Sequence, residues 1–190
     1  IIKNRRATPP KFLSKEPVDK ETILQILENA NWAPTHKNTE PWRFKIYSEE
    51  AREKLAGDIF TILEEKFKKG TNINLQKVQS LKENLMRVPV VILVVMQRDE
   101  AKRIPEWEEI AAVSMAVQNM WLTATAAGMG AFWATPDFIP LLGEILEIKP
   151  GQQALGFFYV GKIAMEYPSP GRTPIELKVE WKQVGSEIEG

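Results

Sequence analysis

Seventeen consecutive residues, 111–127 (AAVSMAVQNMWLTATAA), carry no charge, and most of their side chains are small. With Trp107 to Ile110 before them they read as one helix, 107–127, whose only charges, Glu106, Glu108 and Glu109, sit at its N-terminal end. A helix with no polar face has to be enclosed on nearly every side. In 190 residues one sheet can cover one face, and the simplest cover for the other is a second copy of the chain. This segment therefore points to a helix through the middle of an assembly, in a chain the length of one domain.

The rest of the chain supplies a sheet and further helices. Residues 19–31 predict a helix capped by Asp19, with Ile23, Leu24, Ile26, Leu27 and Ala30 at helical spacing and Pro34 beyond its end. A short strand at 43–47 precedes a helix at 49–69, for which Ser48 stands at the cap position. A weaker helical stretch covers 75–86. PVVILVVM (89–96) is β-branched, uncharged and short, which predicts a central strand covered on both faces. Two more buried strands are expected at 130–135 and 154–163, with a short helix at 139–146 between them. After Tyr167 the chain is Pro-rich and then charged. Ile175, Leu177, Val179 and Trp181 recur there at strand period with no hairpin partner, as in an arm reaching another subunit. The chain starts at Ile1 rather than Met, so further residues are expected before it, as turns of a helix ending near Asn4.

Composition removes several kinds of chemistry. Lys+Arg and Asp+Glu both count 25, so no overall charge attracts nucleic acid or an anionic membrane, and any bound anion needs a local cluster. There is no cysteine and one histidine, hence no disulfide, no thiolate metal ligand and no thiol nucleophile; no metal site is expected. No apolar run approaches the ~20 residues of a membrane span, and 1–6 is no secretory signal, which leads to an expected cytoplasmic location.

The adjacent pair Arg5 and Arg6, followed by Ala7 and Thr8, offers guanidinium forks, backbone N–H and a hydroxyl for a phosphate, although a solvated surface also carries such pairs. Arg172, in the stiff context PSPGRTP, is a third phosphate candidate on its charge alone. GMGAFW (128–133) precedes a strand and lacks a third glycine, so neither a dinucleotide fingerprint nor a P-loop fits. Glu106, Glu108 and Glu109 are explained by the helix macrodipole without a further role. WAPTHKNTEPW (32–42) holds two tryptophans, two prolines and the lone His36, unlike a solvated loop, and suits a flat, polar-edged molecule.

In order along the chain, Arg5-Arg6-Ala7, WAPTHKNTEPWRF (32–44), WEEIAAVSMAVQNMWLTATAAGMGAFW (107–133) and LGFFYVGK (155–162) resemble the nitroreductase family of FMN-dependent oxidoreductases, and within it the short branch with one histidine in an AP-x-H-K loop. The resemblance implies an α+β fold over residues 1–190: a mostly antiparallel sheet of four to five strands flanked by helices, with a C-terminal arm exchanged across a homodimer. It implies FMN, with Arg5, Arg6 and Ala7 at the ribityl chain and phosphate and Asn38 on the family's Asn-x-Gln-Pro-Trp pattern. Trp32 and His36 then reach the flavin of the neighbouring subunit, while Trp133, Ala134 and Thr135 lie along it. Thr123, Ala124, Thr125, Ala126, Ala127 and Gly128 match a stretch proposed to meet NADH or NADPH. Two positions depart from the pattern: the family serine is Ala7, and the family Gln is Glu40.

The activity implied is hydride transfer from NAD(P)H through flavin N5 to a small acceptor such as a nitroaromatic or quinone, in a ping-pong cycle. Because the flavin carries the redox chemistry, no catalytic side chain is expected and the scarcity of Cys and His counts for nothing against an enzyme. An FMN store or sensor without turnover would share every one of these motifs.

Overall fold

A computed structural model of the chain describes residues 1–168 and 171–182. Four helices and four strands follow in the order α1 (Lys20–Ala30), β1 (Trp42–Ser48), α2 (Glu49–Lys68), α3 (Leu75–Arg87), β2 (Val90–Gln97), α4 (Glu106–Ala126), β3 (Met129–Ala134) and β4 (Gln152–Lys162). The strands form one antiparallel sheet, β1-β2-β4-β3. The expected antiparallel sheet flanked by helices is present, with four strands.

The alternation of β2 explains its unbroken apolar run. Val91, Leu93 and Val95 face a core closed by α2 and α3, whereas Val90, Ile92, Val94 and Met96 face a second core closed by α1 and α4. A strand buried on both faces leaves no position for a polar side chain, as expected for 89–96. At one edge of the sheet the N-terminal segment runs parallel to β3, with Ala7 opposite Ala131 and the Thr8 N–H donating to the Ala131 carbonyl at 2.9 Å. Gly130 permits that approach, since a Cβ there would come within 2.6 Å of Leu13. The other edge belongs to β1.

Local signals act where the chain can use them. Asp19 accepts from the Thr22 N–H at 2.7 Å, and Asn74 caps α3 in the same manner. Ser48 occupies the position before α2 with an extended backbone but makes no side-chain capping bond, so the expected cap is a position only. The helix expected over 139–146 is a 3-10 turn at Ile139–Leu142. Residues 1–4 form a turn, with the Asn4 and Arg5 N–H groups donating to the Ile1 carbonyl.

α4 is half enclosed by its own chain. Ala112, Val113, Ala116, Val117, Met120 and Ala124 face the sheet and α1. Trp107, Ala111, Met115, Gln118 and Leu122, spaced three or four residues apart, are exposed or half-buried along the opposite side. The strand period of the tail is not realised: Ile175–Lys178 is a 3-10 turn, and Ile175, Leu177, Val179 and Trp181 are all exposed. Residues 183–190, part of the same expected arm, lie outside the described residues. Among the described residues no helix is long and apolar enough to cross a membrane.

Candidate functional site

The charges of Arg6 and Arg172 act on Arg5 where the N-terminal segment begins its run beside β3. Arg5 lies over the Trp121 ring, with its guanidinium carbon 4.7 Å from the ring centroid. Burial, then the charges of Arg172 and Arg6, depress its pKa below the ordinary arginine value. The Trp121 indole N–H fastens this arrangement by donating to the Arg6 carbonyl at 2.9 Å and the Ala131 carbonyl at 3.1 Å. Like charges within electrostatic reach disfavour one another, and such a cluster is suited to a dianion. Beside it is a cavity of about 270 Å³, lined by Arg6, Thr8, Thr125, Gly128 and Tyr167 among others. Ala7, the departure from the family serine, is exposed at the turn onto the sheet edge.

At the far end of β3 a cavity of about 740 Å³ opens between the strand end and α3. Trp133, Ala134 and Thr135 wall one side, and Asn74 at the cap of α3 with Lys77, Ser80 and Asn84 of the helix the other. From Met129 to Trp133 the strand advances ~13 Å at ~3.3 Å per residue. Along the β3 edge the cavity and the arginine cluster are thus roughly 13 Å apart. Two buried donors at the cavity, Trp133 Nε1 and the Tyr159 hydroxyl, lack a partner among the described residues. Burial raises the Tyr159 pKa well above the ordinary phenol value, so that hydroxyl keeps its proton.

The aromatic loop packs against the start of α4. His36 Nδ1 is 2.6 Å from Glu108 Oε2, and Trp32, 78% exposed, donates its indole N–H to Glu28 at 3.2 Å. Lys37, Asn38 and Glu40 have φ values of 52°, 52° and 41°, three left-handed residues without glycine within the four positions 37–40. Glu108 and Glu109 have partners that the macrodipole reading did not foresee. Glu109 is fully buried, paired with Arg98 and accepting the Asp99 N–H at 2.7 Å, which ties the segment before α4 to the helix.

Residues 123–128 end α4 beside the guanidinium cluster. Thr123 and Thr125 turn their hydroxyls back onto the Asn119 and Trp121 carbonyls, and Ala124 is buried in the core, leaving Ala126, Ala127 and Gly128 exposed. The φ of 71° at Gly128 turns the chain from helix into β3. The structure thus brings together Arg5, Arg6, Arg172 and the end of α4, with Trp133 to Thr135 along the same edge. His36 is apart from them in its own chain: from Glu108 to Trp121 the helix rises ~20 Å at ~1.5 Å per residue.

Sequence reasoning missed the α3 wall, although Asn74, Lys77, Ser80 and Asn84 recur at helical spacing and were legible as a polar face. It also missed Trp121 as the anchor of the N-terminal segment, a contact across more than a hundred residues with no local signature.

Residues 2–162 match the model of the nitroreductase family. The chain is 36% identical over 156 residues to "Putative NAD(P)H nitroreductase YfhC" of Bacillus subtilis, covering 82% of this chain and 74% of that protein. Among solved structures, a nitroreductase-like family protein from Bacillus cereus superposes with a TM-score of 0.78 at 30% identity, over 100% of this chain and 94% of the other. A "putative nitroreductase in complex with fmn" from Desulfovibrio desulfuricans superposes with a TM-score of 0.73 at 25% identity, over 95% and 94%.

Proposed function

The chain belongs to the nitroreductase family of NAD(P)H oxidoreductases, and on that premise we propose that it binds FMN and passes hydride from NADH or NADPH to a small oxidised acceptor such as a nitroaromatic or quinone. The observation that carries this reading is the pair of features along the β3 edge, an arginine cluster near the start of the strand and, at its far end, a cavity lined in part by Phe132, Trp133 and Phe138 with an indole donor that lacks a partner among the described residues. A molecule with a dianionic tail and a planar, hydrogen-bonding ring system matches both ends. Arg5, Arg6 and Arg172 would hold the phosphate, Ala7 and Thr8 would border the ribityl chain, and Trp133, Ala134 and Thr135 would line the ring. FMN, when bound, supplies the hydride chemistry at N5, which is why the chain needs no nucleophile of its own. What the side chains contribute is binding, orientation and exclusion of water.

We further propose a homodimer in which each site uses both chains. The stripe on α4 from Trp107 to Leu122 is apolar or uncharged and is exposed or half-buried among the described residues. A two-fold axis perpendicular to α4 runs the two helices antiparallel, so that one chain's first turn approaches its partner's last turns. That arrangement brings Trp32, His36 and Asn38 of one chain to the Arg5 and Trp133 edge of the other, removing the ~20 Å separation seen within one chain. The exposed tail with Ile175, Leu177, Val179 and Trp181 is then an arm for the partner, for which the outer edge of β1, unpaired among the described residues, is a strand edge to add to.

Dilution tests both parts together. Mass by light scattering or sedimentation and flavin fluorescence, followed on the same samples, should change at one concentration, because separating the subunits opens the site. A monomer that retains FMN at nanomolar concentration overturns the shared site.

A further inference from the structure

We propose that His36, held by Glu108, is the catalytic acid that delivers a proton to the acceptor. This rests on the FMN and dimer reading given above. Reduction by two electrons delivers hydride to the acceptor, forming one new bond to hydrogen, and leaves the product one proton short. That proton has to come from a group with exchangeable hydrogen at the open side of the site.

The candidates around the site can be sorted by what holds them. The Tyr159 hydroxyl is buried and keeps its proton. Lys77 and Asp137, at the mouth of the larger cavity, are tied to each other at 2.6 Å. Guanidiniums do not give up protons at working pH. His36 is paired as well, with Glu108 at 2.6 Å, but that pair engages Nδ1 alone and leaves Nε2 outside it. Its side chain is 55% exposed, so solvent can reload it, and it is the one imidazole in the chain.

The geometry also determines which nitrogen works. Nδ1–H donates to the Glu108 carboxylate at 2.6 Å, and Glu108 is partly buried in the first turn of α4, a rigid support. The ring is therefore oriented, and Nε2 is the nitrogen left to exchange a proton. Lys37, the neighbouring charge in the same turn, is exposed. In the transfer, the Nε2–H bond breaks, a bond from hydrogen to the acceptor's anionic oxygen, nitrogen or carbon forms, and neutral imidazole remains until solvent protonates it. Electrons and protons balance with NAD(P)H as the only reductant. Glu108 is a positioning residue, acting only through His36.

The test uses FMN-loaded His36→Gly, His36→Asn and Glu108→Gln, with the two half-reactions measured separately by stopped flow. Reoxidation of the reduced enzyme by a quinone or nitroaromatic should slow by roughly 100-fold more than its reduction by NAD(P)H, the scale of general acid catalysis. Added imidazole should restore most of the loss in His36→Gly, and Glu108→Gln should fall between that variant and the parent. Half-reactions slowed equally, or a loss in His36→Gly that imidazole does not recover, overturn the proposal and leave His36 as a cofactor contact. A colourless parent protein would overturn the FMN reading itself, which separates the two failures.

Discussion

Replacing Gly156 with alanine tests whether the cavity wall is held in place by β4. Gly156 has a φ of 142°, and a Cβ there would lie 2.3 Å from the Ala134 carbonyl oxygen and 2.7 Å from Trp133 Nε1. An ordinary contact begins at about 3.4 Å, so the β3 backbone would have to retreat by ~1 Å. It has little freedom to do so, because Ala134 is paired with Phe157 and Gly156 itself lies opposite Val94, next to the irregularity between Val94 and Val95. Overpacking of this kind costs about 1–3 kcal/mol, and a left-side φ in an L-residue adds ~1–2 kcal/mol. A loss of about 2–5 kcal/mol lowers Tm by ~4–20 °C in a chain of this size. Because the displaced atoms are Trp133 and Ala134, the same change should reduce flavin retention. Thermal melts and urea titrations of the apo protein give the first quantity, and absorbance after desalting gives the second. Gly57→Ala is the control: nothing lies within 4 Å of its Cβ, and in a helix interior alanine is favoured. A Gly156→Ala protein that melts within ~1 °C of the parent and keeps its FMN would refute the claim that β4 sets the position of the wall.

Two further outcomes follow from the site. Arg5→Ala with Arg6→Ala should weaken FMN binding by about 3–6 kcal/mol, taking ~1.5–3 kcal/mol for each charged hydrogen-bonding group, and a folded double variant that purifies fully loaded would exclude the phosphate role. If donor and acceptor use one open face in turn, double-reciprocal plots at several acceptor concentrations should be parallel. Intersecting lines would mean that both ligands bind at once.

Where pattern and burial coincide, the sequence alone was enough. PVVILVVM had to be an interior strand because every side chain is apolar and both faces of β2 are covered. The charge-free stretch 111–127 had to be a helix, and α4 spans Glu106–Ala126, with one stripe exposed or half-buried among the described residues. The Arg-Arg pair and the aromatic loop were visible as unusual local composition. Other features depend on contacts distant in sequence. Period-two spacing at Ile175, Leu177, Val179 and Trp181 does not make a strand, because a strand needs a neighbour to satisfy its backbone, and the described chain places none beside it. Glu108 and Glu109 looked alike as acidic residues of a first helical turn. Only the fold separates them, burying Glu109 with Arg98 while turning Glu108 toward His36, seventy-two residues earlier. The guanidinium cluster likewise needed tertiary structure, since Arg172 comes within electrostatic reach of Arg5 only after the N-terminal segment is fastened along β3 by Trp121. Periodicity reports which face of an element is apolar, whereas the meeting of two polar groups depends on where the packed elements bring them.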